Sequence, residues 1–204
     1  MARISFILIL GFASTLIAQE KDSVVEKEFS GPQVGESLPA LVATGVFDDL
    51  AGKPQNLIKQ GDGKTAIIIF VHQFTRPSIQ VLRGLSTYAE NNAEKVHGSI
   101  VFLTDDIPEL EATLARARRA LPQKTMITIS PDGVEGPGSY GLNRKMTLTV
   151  LVAKDGKVTG NHAFVSTAAQ TDVLEVVNPI AKSIGQRPPT LAQLGMVQTR
   201  PAPN

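Results

Sequence analysis

The sequence predicts a three-layer α/β domain, with a mixed central sheet and helices on both faces. Three observations carry this expectation. Residues 65–71, Thr-Ala-Ile-Ile-Ile-Phe-Val, and residues 99–103 are continuous apolar runs of the kind found in strands buried on both faces. Each is followed by a stretch whose apolar residues recur at helical spacing. Further on, residues 147–153 and 158–164 flank Asp155-Gly156, the pattern of an antiparallel hairpin with a tight turn. Strands alternating with helices, plus one late hairpin, give a mixed sheet covered on both sides.

Taken in order, residues 42–47 read as a strand, 48–52 as a turn and 55–58 as the hairpin partner. After the run at 65–71, a helix is expected from Pro77 to about Asn91, with Ile79, Leu82, Leu85 and Ala89 on its buried face. The strand at 99–103 leads to a second helix. There Asp106 is the cap, Pro108 sits in the first turn and Glu109 closes a capping box. Leu110, Leu114, Ala117 and Leu121 form its apolar stripe, and Arg116, Arg118 and Arg119 gather where the macrodipole favours cations. Residues 126–129 form a short strand. The last helix spans 171–184 and ends at Gly185, with Pro179 as a kink.

The chain has 204 residues, 42% of them hydrophobic, enough for one core and one domain. Twenty basic residues oppose nineteen acidic ones, so no global field recruits nucleic acid, and none is expected as a partner. Arg3 precedes an apolar run at 4–18 that is too short to span a bilayer comfortably and gives way to Gln19-Glu20. Residues 1–18 thus read as a signal peptide and the protein as exported, periplasmic or secreted. Membrane contact is expected only through that segment, if it stays uncleaved. Residues 19–30 read as a flexible leader, 31–185 as the folded domain and 186–204, with Pro188, Pro189, Pro201 and Pro203, as a disordered Pro-rich tail. There is no cysteine, which removes thiol nucleophiles, thiolate ligands and disulfides together.

Several segments resemble one superfamily. Pro32-Gln33-Val34-Gly35-Glu36-Ser37-Leu38-Pro39-Ala40 resembles the opening of redoxin domains, the peroxiredoxins and periplasmic thioredoxin-like reductases, as does Leu50-Ala51-Gly52-Lys53-Pro54. Residues 149–158 resemble their late strand–turn–strand, and 69–78 their central strand running into the active-site helix. The resemblance covers about residues 31–185 and implies a thioredoxin-like fold.

It also locates an altered active site. Where thioredoxin-like reductases carry Cys-x-x-Cys, this chain has Thr75-Arg76-Pro77-Ser78; the peroxiredoxin motif is Thr-x-x-Cys, so Ser78 stands in the cysteine's place. Met146 and Thr147 stand where the family has its cis-proline, and Arg144 lies slightly upstream of the family's peroxidatic arginine. By the same resemblance, the loop 130–144 faces the active-site helix, so that Tyr140, Asn143 and Arg144 share a cleft with Thr75 and Arg76. A serine hydroxyl is far less acidic than a thiol, and a helix dipole does not ionise it near neutral pH; Ser78 is a cap or a hydrogen-bond donor.

The expected function is therefore non-catalytic: an exported binding or scaffolding domain that uses this cleft for a protein, a peptide or a small anion. A helix N-terminus with Arg76 beside it suits an anion. The family's label, a thiol–disulfide oxidoreductase or peroxidase, is the first alternative, and metal carriage the second. His72, at the end of the central strand, is a candidate base or ligand. It lacks the orienting acid and the nucleophile elbow that a serine hydrolase needs. His97, His162, Asp105 and Asp106 complete no metal-ligand spacing with it. No cofactor and no metal are expected.

Overall fold

A computed structural model describes residues 28–61 and 63–196; the expected signal peptide and most of the leader lie outside the described residues. The elements run β1 (Val42–Gly45), β2 (Pro54–Asn56), α1 (Leu57–Gln60), β3 (Thr65–Val71), α2 (Arg76–Asn91), β4 (Val96–Phe102), α3 (Ile107–Ala117), β5 (Met126–Ile129), β6 (Leu148–Lys154), β7 (Lys157–Phe164) and α4 (Ala169–Ser183). The strands form one mixed sheet in the order β2-β1-β5-β4-β3-β6-β7. β3, β4 and β5 are parallel, and β6, β7, β1 and β2 join through antiparallel pairings. All seven residues of β3 are buried, as its unbroken apolar run requires.

The two faces are covered unequally. On one, α2, α3 and α4 supply Leu82, Leu85, Leu114, Val173 and Val177 to a core built on Ile67, Ile69, Ile100 and Phe102. On the other, Ile68, Phe70, Val101 and Leu151 lie under short pieces: Leu57 of the single-turn α1, Leu41, Tyr140 and Leu142. Between β5 and β6 the chain makes two 3-10 turns, Gly133–Glu135 and Gly138–Tyr140, with no longer helix.

Local chemistry explains where elements differ from expectation. β1 stops at Gly45, where a Cβ would collide with the Leu50 carbonyl. β2 stops at Asn56, whose side chain accepts from Lys59 N–H and starts α1, so Ile58 lies in a helical turn and not in the strand. β4 starts at Val96, three residues before the expected start; His97 and Gly98 interrupt the apolar pattern without interrupting the pairing to β3. At α3 only half the expected capping box forms. Asp106 accepts from Glu109 N–H, but Asp106 N–H goes to the Thr104 hydroxyl and not to Glu109. At the hairpin, Asp155 and Gly156 both take positive φ, which the β6–β7 turn demands.

Residues 186–196, expected in the structureless tail, pack on the body. Leu194 is buried in the core, and Met196 packs against it near Gly84 of α2. Ser30, expected in the leader, is fully buried.

Candidate functional site

The corner where β3 enters α2 is built from short-range hydrogen bonds. Thr75 is the N-cap of α2, and Pro77 lies in its first turn, where a missing N–H costs nothing. The Thr75 hydroxyl accepts from Ser78 N–H at 3.2 Å, and the Ser78 hydroxyl accepts from Thr75 N–H at 2.8 Å. This is a reciprocal capping box with serine in the place usually held by Glu or Gln. The Ser78 proton is shared between the carbonyls of Thr75, at 2.8 Å, and Gln73, at 3.0 Å. Ser78 is fully buried, so its oxygen is committed inside the corner. Ser78→Ala should strand the Thr75 N–H and lower stability by about 1–2 kcal/mol, read by chemical denaturation.

Behind the corner runs a polar chain through the fold. His72 Nε2 lies 3.1 Å from Thr149 Oγ1, which lies 2.6 Å from Ser30 Oγ, and Ser30 accepts from Asn143 N–H at 3.0 Å. Where Ser30 donates to Thr149 and Thr149 to His72, Nε2 is the acceptor; in the reverse order Nε2 is the donor. Among the described residues, Nδ1 is buried without a partner. Burial holds the His72 pKa down at about 4, with the Glu135 carboxylate only partly opposing it. His72 is thus a neutral, structural imidazole near pH 7. The backbone N–H groups of His72 and Gln73 both donate to Thr147 O, which ties the corner to the start of β6.

The other candidate residues fall into two groups. Thr75, Arg76 and Pro77 are exposed at the mouth of α2. Arg144 is exposed and paired with Glu135 at 3.0 Å, while Asn143 is half-buried and donates its amide to Glu28 at 2.8 Å. Tyr140 does not line a cleft. It is buried in the core, its ring 5.2 Å from that of Phe70, and its hydroxyl donates to Pro39 O at 2.9 Å. Thr147 is buried too, and its hydroxyl donates to Val165 O.

Sequence reasoning missed Ser30 and Thr149. The signal for Thr149 was a threonine at every second position, 147 and 149, in an apolar strand; Ser30 carried none. His72, His97 and His162 sit on separate strands or strand ends, and among the described residues no three metal-ligating side chains gather. A concavity of about 520 Å³ lies at the opposite end of the parallel strands, between Phe47, His97, Arg118 and Met126. Its cations, Lys64, Arg118 and Lys124, are matched by Asp48, Asp49 and Glu90, so charge selects no ligand class there.

No family model and no curated protein matches the sequence. Solved structures do match the fold. A Chlorobium tepidum protein described as thiol:disulfide interchange protein DsbE is 18% identical, with a TM-score of 0.56 over 80% of this chain and 99% of its own. A Bacteroides thetaiotaomicron protein described as a disulfide isomerase is 17% identical, at 0.54 over 75% and 94%. An uncharacterised conserved protein of Geobacillus kaustophilus is 16% identical, at 0.57 over 77% and 85%. At such identities the likeness speaks for the fold. This chain is therefore a protein of the thioredoxin-like fold that contains no cysteine.

Proposed function

We propose that this protein is an exported, redox-inert binding domain that engages an extended peptide or a small anion at the mouth of α2. The observation that carries this reading is the Thr75–Ser78 capping box. At the helix start where the redoxin resemblance would put a thiolate, the Ser78 hydroxyl and the Thr75 hydroxyl oxygen close the helix. What remains for a ligand is Arg76, exposed and without a hydrogen-bond or ion-pair partner among the described residues, beside exposed Gln73 and Val165. Export rests on the apolar run at 4–18. Among the described residues no helix is long and apolar enough to cross a membrane.

The experiment pairs two measurements on the purified protein. Insulin-disulfide reduction and hydroperoxide consumption should stay at background. Titration with inorganic phosphate and with a proline-containing extended peptide should shift the NMR signals of residues 73–78, and Arg76→Ala should weaken that response by about tenfold. Turnover of either redox substrate, or identical titrations with wild type and Arg76→Ala, would refute the reading.

A further inference from the structure

The cavity of about 520 Å³ at the far end of the parallel strands has two unlike walls. One is flat. Arg118, directly after α3, lays its guanidinium over the Phe47 ring, with Cζ 4.4 Å from the ring centroid. Two hydrogen bonds fix the group there: Nη1 donates to Pro122 O at 3.1 Å and Nη2 to Asp48 Oδ2 at 3.2 Å. Asp48 itself sits at φ +54°, in the left-handed region, and begins the 3-10 turn Asp48–Leu50. A residue in strained backbone geometry therefore supplies the carboxylate that orients this wall. An arginine fork held on an aromatic ring is a stacking surface for another flat group.

The other side is small and apolar. Ala89, in the last turn of α2, and Ala93, just beyond it, contribute only methyl groups, and the starts of β4 and β5 add Val96, Gly98 and Ile127. The space between is a slot of the size that small-molecule sites have. Its rim carries hydrogen-bonding groups of both kinds. Lys64 is tied to Ala93 O at 2.8 Å, and Glu90 accepts from the Thr125 hydroxyl at 3.2 Å. Among the described residues the side chains of Asp49 and Lys124 have no hydrogen-bond or ion-pair partner, so one acceptor and one donor stay free. His97 adds an imidazole whose pKa burial and Lys64 lower, so near pH 7 it brings hydrogen-bonding capacity without charge.

We propose that this cavity binds an uncharged planar heteroaromatic ring of the nucleobase type, stacked on the Phe47–Arg118 wall, with its donor and acceptor edge turned to Asp49 and Lys124. A saturated ring forgoes the stacking. An anion meets Asp48, Asp49 and Glu90, and the same three acids repel the phosphates of a nucleic acid, so the ligand is a free base or nucleoside. The site lies away from the mouth of α2 and uses none of its residues. It stands or falls independently of the binding role assigned to Arg76.

The test is an NMR titration of the full chain with adenosine, an uncharged nucleoside. Saturable shifts are expected at residues 47–49, 89–93 and 118–125, with none at 73–78. Ala93→Phe, at an exposed position, fills the slot and should weaken binding at least about tenfold. Arg118→Lys keeps the charge but loses the planar fork, and should weaken binding by about the same factor. Inorganic phosphate and cyclohexanol should not displace the nucleoside. Absence of saturable shifts up to about 10 mM adenosine would overturn the proposal. Full affinity in Ala93→Phe, or in an Arg118→Lys variant that circular dichroism shows to be folded, would overturn it as well. So would displacement by phosphate, which would make the cavity an anion site.

Discussion

Phe70→Ala should lower stability by about 3–5 kcal/mol, the range for emptying a fully buried aromatic site. The thinly covered face of the sheet explains why collapse would not heal the void. Phe70 sits in the central strand, and its ring packs against Tyr140, which in turn holds Pro39 O. Among the described residues no long helix lies on that side, so these two rings and the segments they pin are the cover. Tyr140→Phe keeps the ring and removes one hydrogen bond, leaving the Pro39 carbonyl without that donor, so it should cost about 1 kcal/mol. The double variant should cost less than the sum, because emptying site 70 already loosens Tyr140. Guanidinium denaturation of the four proteins measures all three quantities. A Phe70→Ala loss below 2 kcal/mol would mean that the loop, not the strand, supplies the packing.

Acidification should destabilise the protein well before its carboxylates titrate. His72 takes up a proton near its ordinary pKa of 6.5 when unfolded but only at about 4 when folded. Its contribution is therefore complete above pH 6.5 and is lost as pH falls from there toward 4. The full shift would correspond to about 3 kcal/mol; partial exposure of the ring reduces the expected loss to about 2 kcal/mol. His97, lowered by burial and by Lys64, acts in the same direction. Asp172, raised by burial, opposes both at lower pH. Denaturation midpoints at pH 7.5, 5.5 and 4.5 give the slope. His72→Gln, which retains a polar partner for Thr149, should flatten it by more than half; an unchanged slope would transfer the effect to His97.

Much of the sheet was legible because its residues obey one period at a time. The runs at 65–71 and 126–129 are β3 and β5 to the residue, and Thr75, Pro77 and Asp106 announce their helix starts. Legibility failed where two signals competed. His97 and Gly98 hid the beginning of β4, although pairing with β3 holds them in register. Pro188 and Pro189 made the segment after Gly185 read as disorder, while the Thr190–Gln193 box and Gly195 were present in the letters. At the corner, Thr75 caps α2 and Arg76 opens it, both exposed. Tyr140 was misplaced because a loop's facing direction depends on contacts far apart in sequence, here with Phe70 and Pro39, that no local pattern records.

The sealed corner at Thr75–Ser78 means that exchanging Ser78 for cysteine would not by itself make a reactive centre. Sulfur at position 78 would be a weaker acceptor for the Thr75 amide and a weaker donor to two carbonyls, in a spot closed to solvent. Oxygen at that position is part of the masonry, and building a reactive centre there would first mean taking the wall down.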